Sequence, residues 1–369
     1  MKVVYFTHSL LSCWNHGNAH FLRGVLRDLK RRGHNVVVYE PQDGWSLSNL
    51  LADHGEAGLE AFRTAYPELQ SRQMAPDFDF DAALEGADLV VVHEWNDPDL
   101  VSRIGARRAA GARFRLLFHD THHRAVSDPQ AIRAFDLGGY DGVLAFGEAL
   151  ADVYRRWGWG RRAFVWHEAA DTTVFRPPEA EPARAGLVWI GNWGDGERTR
   201  ELDRFLFAPA RAAGIRLDVY GVRYPPAALE RLARRGARYH GWLPNARAPE
   251  IFAHHLATVH VPRRLYVRAL PGIPTIRVFE ALACGIPLVS APWSDAEGLF
   301  RPGEDFLTAR NGAQVAAHLR RLRADPDFAA AVARSGLETV RARHTCAHRA
   351  AELLSIAAAL DAHALESAA

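Results

Sequence analysis

A chain of 369 residues, 48% hydrophobic and 24% charged, exceeds the usual ceiling for one core and carries apolar material for two, which excludes a disordered protein. A formal net charge of +2, with almost all basic residues arginine, excludes a generally basic nucleic-acid binder. Cys13, Cys284 and Cys346 form neither a CxxC pair nor a disulfide framework, so a reducing, cytoplasmic setting is expected.

In chain order, the start MKVVYFTHSLLSCWNHG lacks the long apolar core of a signal peptide, and its KVVYF reads as a first strand. A helix follows from about His20 to Arg32, Gly33 stops it, and NVVVYE is the next strand. After a polar helical region come ADLVVVHE, a helix over Leu100 to Ala110, RFRLLFHD, DGVLAFGE, a helix over Ala149 to Trp157, and RAFVWHE. Apolar strands separated by amphipathic helices imply a parallel sheet covered on both faces. The stretch DTTVFRPPEAEPARA has the composition of a linker over 171–185.

The second half repeats the alternation: GLVWIGN, a helix over Arg198 to Ala213, IRLDVYG, the helical PAALERLARRG, ARYHGWL, APEIFAHHL and ATVHVP. TIRVFEALACG then leads into IPLVSAP, and the tail from Gly312 is helical. The fold class is therefore α/β, with two Rossmann-like doubly wound domains, 1–170 and 186–350, facing each other across a ligand-binding cleft. A C-terminal helix over 351–369 can return to the N-terminal domain. No run nears the ~20 apolar residues of a membrane span.

The segment LPGIPTIRVFEALACGIPLVSAPW is the most informative. A Gly/Pro loop enters the first turn of a helix, whose unpaired N–H groups and positive dipole end suit a phosphate. Thr275 can cap and donate a hydroxyl, Arg277 can add a charge-assisted bond, and Glu280 can accept bonds from ribose hydroxyls. Gly285 and Pro287 end the helix. On residues alone, an ordinary core helix with a well-made C-cap explains the pattern equally well.

RVFEALACGIPLVSAP resembles the donor-site signature of GT-B-fold glycosyltransferases, close to its form in the CgeB-like bacterial group and more loosely to the larger retaining family 4. HEAADTTVFRP resembles the motif before their interdomain linker, and WIGNWGDGER their phosphate loop. YHGWLPNARAPEIFA resembles their base-contacting segment. The resemblance implies transfer of a hexose-like sugar from a nucleotide-sugar donor to an acceptor, with no cofactor or metal and no nucleic-acid partner. Peripheral membrane association is compatible with it. The implied donor set is Asn192, Arg198 and Tyr220; Gly241, Trp242 and Leu243; Gly272, Pro274, Thr275, Ile276, Arg277 and Glu280; and Gly17 with Asn18. In family 4 a second Glu stands eight residues before the ribose Glu; here that position is Gly272. Arg263, Arg264 and Tyr266 in the preceding loop can grip a diphosphate or acceptor, or can simply be solvated.

HSLLSCWNHGNAHFLRG follows the first strand without a dinucleotide fingerprint. Its Asn15 and His16, with His122, form the expected acceptor side. In LLFHDTHHR, His119 matches a family 4 histidine beside the transferred sugar, and Asp120 and Glu94 complete the expected catalytic set. Two other readings stand beside this: histidines satisfied by backbone bonds, and a zinc site, whose recurring ligand patterns HDTHH does not match. At the level of function the rivals are a sugar-nucleotide epimerase or phosphorylase and a catalytically silent scaffold, the latter suggested by Gly272.

Overall fold

The computed structural model describes residues 1–180, 182–194 and 196–366. The chain divides into two compact units, Met1–Glu168 together with the chain from Cys346 onward, and Ala169–Thr345.

In the N-terminal unit, β1 (Lys2–Phe6), β2 (Asn35–Pro41), β3 (Arg72–Met74), β4 (Leu89–His93), β5 (Arg115–Asp120), β6 (Gly142–Ala145) and β7 (Ala163–Val165) form one parallel sheet. Its order is β3-β2-β1-β4-β5-β6-β7. Val4 pairs with Val37 on one side and Val90 on the other, and every residue of β4 is buried. Such continuous apolar strands are what helices on both faces of a parallel sheet require. The connections reverse direction between β1 and β4, so the loops after Phe6 and His93 open the crevice where doubly wound sheets bind ligands.

In the C-terminal unit, β8 (Leu187–Ile190), β9 (Leu217–Tyr220), β10 (Arg238–Tyr239), β11 (Ala257–His260), β12 (Leu288–Ser290) and β13 (Leu307–Thr308) pair in the parallel order β10-β9-β8-β11-β12-β13. Here the reversal lies between β8 and β11, which places Gly191, Asn192 and Arg263 beside it. Capping fixes where the flanking helices start. Asp97 accepts from the Asp99 N–H at 2.8 Å ahead of Pro98, and Asn311 accepts from Gln314 N–H at 3.0 Å.

Two expectations about the joints need correction. The start of the expected linker, residues 171–175, is packed into the second unit. Asp171 turns the chain by accepting the Thr173 N–H at 3.0 Å, and Phe175 is fully buried in the unit that follows. An aromatic side chain without a partner surface would be left in water, so the start of the linker packs instead. The return to the N-terminal unit begins at Cys346 rather than 351. The helix Cys346–Glu366 lies against Ala19–Arg31, and the Trp166 Nε1–H donates to Arg349 O at 2.9 Å. Among the described residues no helix is long and apolar enough to cross a membrane.

Trp166 is fully buried, with ring centroids 5.1 Å from Phe21 and 4.7 Å from His119. Trp166→Ala removes this ring and the bond to the returning helix, and should cost about 3–5 kcal/mol in urea unfolding. A loss below ~1 kcal/mol would show that the returning helix does not depend on it.

Candidate functional site

In the C-terminal unit the loop after β8 is held tightly. The Gly191 N–H donates to Tyr220 O at 2.9 Å, and Gly221 crosses so close that a Cβ there would stand 2.2 Å from Gly191 O. With φ at 151°, Gly221 also adopts a backbone that side chains disfavour. Arg198, 8% exposed, reaches back to this loop: its Nη2 donates to Asn192 O at 2.9 Å and to Asn192 Oδ1 at 2.7 Å. Its guanidinium also lies over the Trp189 ring at 5.1 Å. Burial, then the neighbouring Arg263 and Arg277 charges, push Arg198 down to about 10. Three guanidinium groups therefore share one field.

Arg263 donates to Glu197 Oε2 at 2.7 Å and keeps Asn192 Oδ1 at 3.4 Å. Arg264 holds the backbone of Glu197, donating to its carbonyl at 2.7 Å, and Tyr266 is buried. Of this trio, Arg263 joins the cluster; Arg264 supports the loop and Tyr266 the core. His260, at the end of β11, faces the Ser290 Oγ at 3.0 Å. Ser290 donates its own proton to Ala291 O, so His260 Nδ1 carries the hydrogen and Nε2 is left as a buried acceptor with no hydrogen-bond partner among the described residues. Burial, and then Arg198, push it down to about 3.

The helix Ile276–Ala283 begins after Pro274 and Thr275. Thr275 occupies the N-cap position in extended conformation, but its side chain makes no capping bond, contrary to expectation. Ile276 points into the core. Arg277 lies directly on the Glu280 carboxylate, one turn along; the side chains are 15% and 0% exposed. The two residues expected to serve diphosphate and ribose separately thus form an ion pair with each other. The cause is local: i,i+3 spacing puts them on one helix face, and a carboxylate this deeply buried requires a cation. Gly272 has φ at 92°, and a Cβ there would come 3.0 Å from the Glu297 side chain. A carboxylate distant in sequence therefore stands beside the position where the expected one is missing. Tyr220 stacks on His240 at 4.5 Å, and Gly241 O accepts the Gly221 N–H at 2.7 Å. Trp242 and Leu243 are half-buried beyond it.

In the N-terminal unit two buried charges pin the loop after β1. Glu40 Oε2 accepts the Leu10 N–H at 2.6 Å, while Arg23 donates to Leu10 O at 3.0 and 2.8 Å. Asn15 sits at φ 47°. Gly17 and Asn18 form the turn into the helix Ala19–Arg31; Asn18 makes no side-chain cap and offers only its carbonyl, to Leu22 N–H at 3.1 Å. His16 is buried with its ring 4.0 Å from His8; His93 lies 5.9 Å from His8 and 5.3 Å from His119. Burial pushes His8 down to about 4, His119 to about 3, and His16 and His93 well below the ordinary value, so all four are neutral imidazoles near pH 7.

Glu94 and Asp120 sit at the ends of β4 and β5, both fully buried. The Trp95 N–H donates to His93 Nδ1 at 3.3 Å, which leaves the His93 proton on Nε2, facing Thr121 Oγ1 at 3.1 Å. Thr121 in turn donates to Glu94 Oε1 at 3.2 Å, and Arg124 to Glu94 Oε2 at 2.6 Å. Asp120 accepts the Tyr154 hydroxyl at 2.7 Å and the His122 N–H at 3.0 Å. Burial raises both carboxyls, with the Asp120 charge adding to the rise at Glu94 and Arg124 opposing it. Arg124 also covers the exposed Trp95 ring at 4.0 Å, with His122 5.2 Å from the same ring. His119 itself is walled by Phe21 and Trp166, and neither ring nitrogen has a hydrogen-bond partner among the described residues. Among the described residues no three His, Cys, Asp or Glu side chains are grouped to hold a metal. Glu40, Arg23, His93, Arg124, Tyr154 and Glu297 escaped the sequence reading. Each acts on a partner far along the chain, and only periodicity within its own element was visible.

Residues 198–355 match the family model described as glycosyl transferase-like. No curated protein matches the chain. Among solved structures, the chain is similar to sucrose-phosphate synthase from Thermosynechococcus elongatus, at 15% identity and TM-score 0.65, covering 98% of this chain and 100% of that one. It is similar as well to HepE of Anabaena in complex with UDP, at 13% identity and TM-score 0.65 over 97% and 100%. A glycosyltransferase from Rickettsia africae aligns at 10% identity and TM-score 0.63 over 97% and 98%. Residues 198–355 are thus similar to the glycosyl transferase-like family, and the chain as a whole has the two-sheet GT-B fold of these structures.

Proposed function

We propose that this protein transfers a hexose-like sugar from a nucleoside-diphosphate sugar held by the C-terminal unit. The observation that carries the reading is the convergence of Arg198, Arg263 and Arg277 at the switch point of that unit's sheet. A diphosphate is the ligand that three guanidinium groups on a loop and a helix start favour most. HepE, a protein of the same fold, was solved with UDP, which agrees with this assignment.

The three arginines have distinct tasks. Arg198 is buried and tied to Asn192, so it fixes the loop and contributes field rather than contact. Arg263 and Arg277 each rest on a carboxylate, Glu197 and Glu280. On donor binding they exchange these partners for phosphate oxygens, and Glu280 then accepts the ribose hydroxyls. As the sugar leaves, charge grows on the diphosphate, and these preorganised cations stabilise it. The arginines supply the positive charge that a metal would, so the mechanism assigns no metal. Glu297, beside Gly272, takes the place of the carboxylate that the resembling enzymes direct at the donor sugar. In the N-terminal unit, the neutral His119, Asp120 and Glu94 set the polarity of the acceptor side. Asp120 and Glu94 act through Tyr154 and Arg124, to which they are bonded. The setting is cytoplasmic, with an acceptor of unassigned chemistry.

Two measurements test this. Glu280→Ala should weaken binding of the preferred nucleotide among UDP, GDP and ADP at least tenfold by calorimetry, about 1.4 kcal/mol, with the circular dichroism spectrum retained. Undiminished affinity would reject the donor-site assignment. For His119, the folded value near 3 lies below the unfolded value near 6.5, so protonation of the unfolded chain draws down stability as pH falls. The stability advantage of wild type over His119→Gln should therefore shrink by about 2 kcal/mol between pH 7 and pH 5. A difference constant with pH would show that His119 is not held neutral.

A further inference from the structure

The C-terminal unit carries a second concavity at the opposite edge of its sheet. Gly186, Arg216, Leu256 and Pro287 line it, and each immediately precedes a strand: β8, β9, β11 and β12. The groove therefore runs along the amino ends of the strands, whereas Arg198, Arg263 and Arg277 gather at the carboxyl-end side. It encloses about 860 Å³, within the range of small-molecule sites. Its remaining walls are the segment around Pro177 and Pro182 and the helices Gly312–Ala324 and Pro326–Arg343.

The chemistry of the lining is narrow. Its apolar surface is aliphatic, from Ile215, Leu256, Leu322, Ala333 and Leu337, and among the described residues no aromatic side chain faces it. Around this floor stand five arginines, Arg184, Arg216, Arg323, Arg334 and Arg341, and among the described residues no lysine or carboxylate lines it. Three of the five are engaged locally. Arg184 donates to Gly285 O at 2.8 Å, Arg216 to Asp218 Oδ2 at 2.8 Å, and Arg323 to Gly214 O at 3.2 Å. Arg334 and Arg341, exposed on the helix Pro326–Arg343, form no ion pair or hydrogen bond among the described residues, although Glu338 lies between them on the same helix.

These features select an occupant. A nucleotide base or sugar ring gains affinity by stacking, and this groove offers no ring to stack on. An aliphatic floor in water favours cover by an aliphatic chain. An arc of arginines without lining carboxylates favours an anion at the end of that chain. We propose that the groove binds a single-chain aliphatic anion, an alkyl or acyl chain ending in phosphate or carboxylate, at a site separate from the phosphate cluster. This assignment does not depend on the proposed donor site.

Dodecyl phosphate, kept below its micelle concentration, is the probe, titrated calorimetrically into the full chain. Saturable one-to-one binding is expected, with inorganic phosphate and uncharged dodecyl maltoside each at least about tenfold weaker, since each offers half of the recognised chemistry. Arg334→Glu combined with Arg341→Glu should weaken dodecyl phosphate binding at least about tenfold. Ala330→Trp, placed at an exposed lining position, should block the groove without disturbing the core. Both variants should keep the wild-type circular dichroism spectrum and urea unfolding midpoint, which reports that they fold. Arg277→Ala should keep the amphiphile. Equal binding by the charge-reversed protein or by Ala330→Trp overturns the proposal, as does inorganic phosphate binding as tightly as dodecyl phosphate. Displacement of dodecyl phosphate by the nucleotide would place it at the donor site and overturn the proposal too.

Discussion

Buried charge is the constraint around which both units are organised. Glu40, Glu94, Asp120, Arg23, Arg198 and Glu280 are all under 9% exposed; Glu40, Glu94 and Asp120 lie at or just beyond strand ends, Arg198 at a helix N-cap, and Arg23 and Glu280 within helices. An ion removed from water is tolerated only when its hydrogen-bonding capacity is met locally. At a strand's carboxyl end the nearest groups able to meet it are the amides and carbonyls of the connecting loop. Arg23 and Glu40 therefore seize opposite groups of the same residue, Leu10, and Arg198 seizes Asn192. The loops that would otherwise be the most mobile parts of a doubly wound sheet are held from beneath.

That arrangement separates side chains that hold from side chains that can exchange. Arg198 donates from both Nη nitrogens to protein oxygens and is nearly inaccessible, whereas Arg263 and Arg277 rest on single carboxylates and keep part of their surface. A phosphate can compete for the second kind without dismantling the first. The same division runs through the N-terminal unit. His93, Thr121 and Glu94 form a chain with one direction of donation, fixed at its start by the Trp95 N–H. Arg124, at its far end, reaches outward over the exposed Trp95.

Legibility from sequence followed the range of the interaction. Long apolar strands such as LVVVH and RLLFHD announce themselves by composition, and Gly33 by local chemistry, whereas the cap at Asp97 shows only in the structure. β3 and β13, three and two residues long at sheet edges, carry no period to detect. At the site, the donor-helix pattern named Arg277 and Glu280, but not that they would lie on each other, because an isolated helix does not say how deeply a carboxylate will be buried. Thr275 has the residue type of a cap and the backbone of one, yet its side chain is not used. Glu297 became visible only through the positive φ of Gly272, which brings the loop at Ser294 within hydrogen-bond distance of the Gly272 N–H, at 3.0 Å.

The two ends of the C-terminal sheet differ in a way that follows from helix direction. Helices flanking a parallel sheet present their N-termini toward the strands' carboxyl ends, so that edge gains free amides and positive dipole ends and attracts polar anions. The opposite edge receives helix C-termini, whose carbonyls must be satisfied; Arg184 on Gly285 O and Arg323 on Gly214 O do this. Arginines recruited to cap helix ends are thereby concentrated around an aliphatic floor, while those at the carboxyl edge stand among Trp189, Trp193 and Tyr224. The same residue type, placed by the same sheet geometry, thus meets rings at one end and saturated side chains at the other. That difference, more than the number of arginines, distinguishes the surroundings that the two ends offer to a charged group.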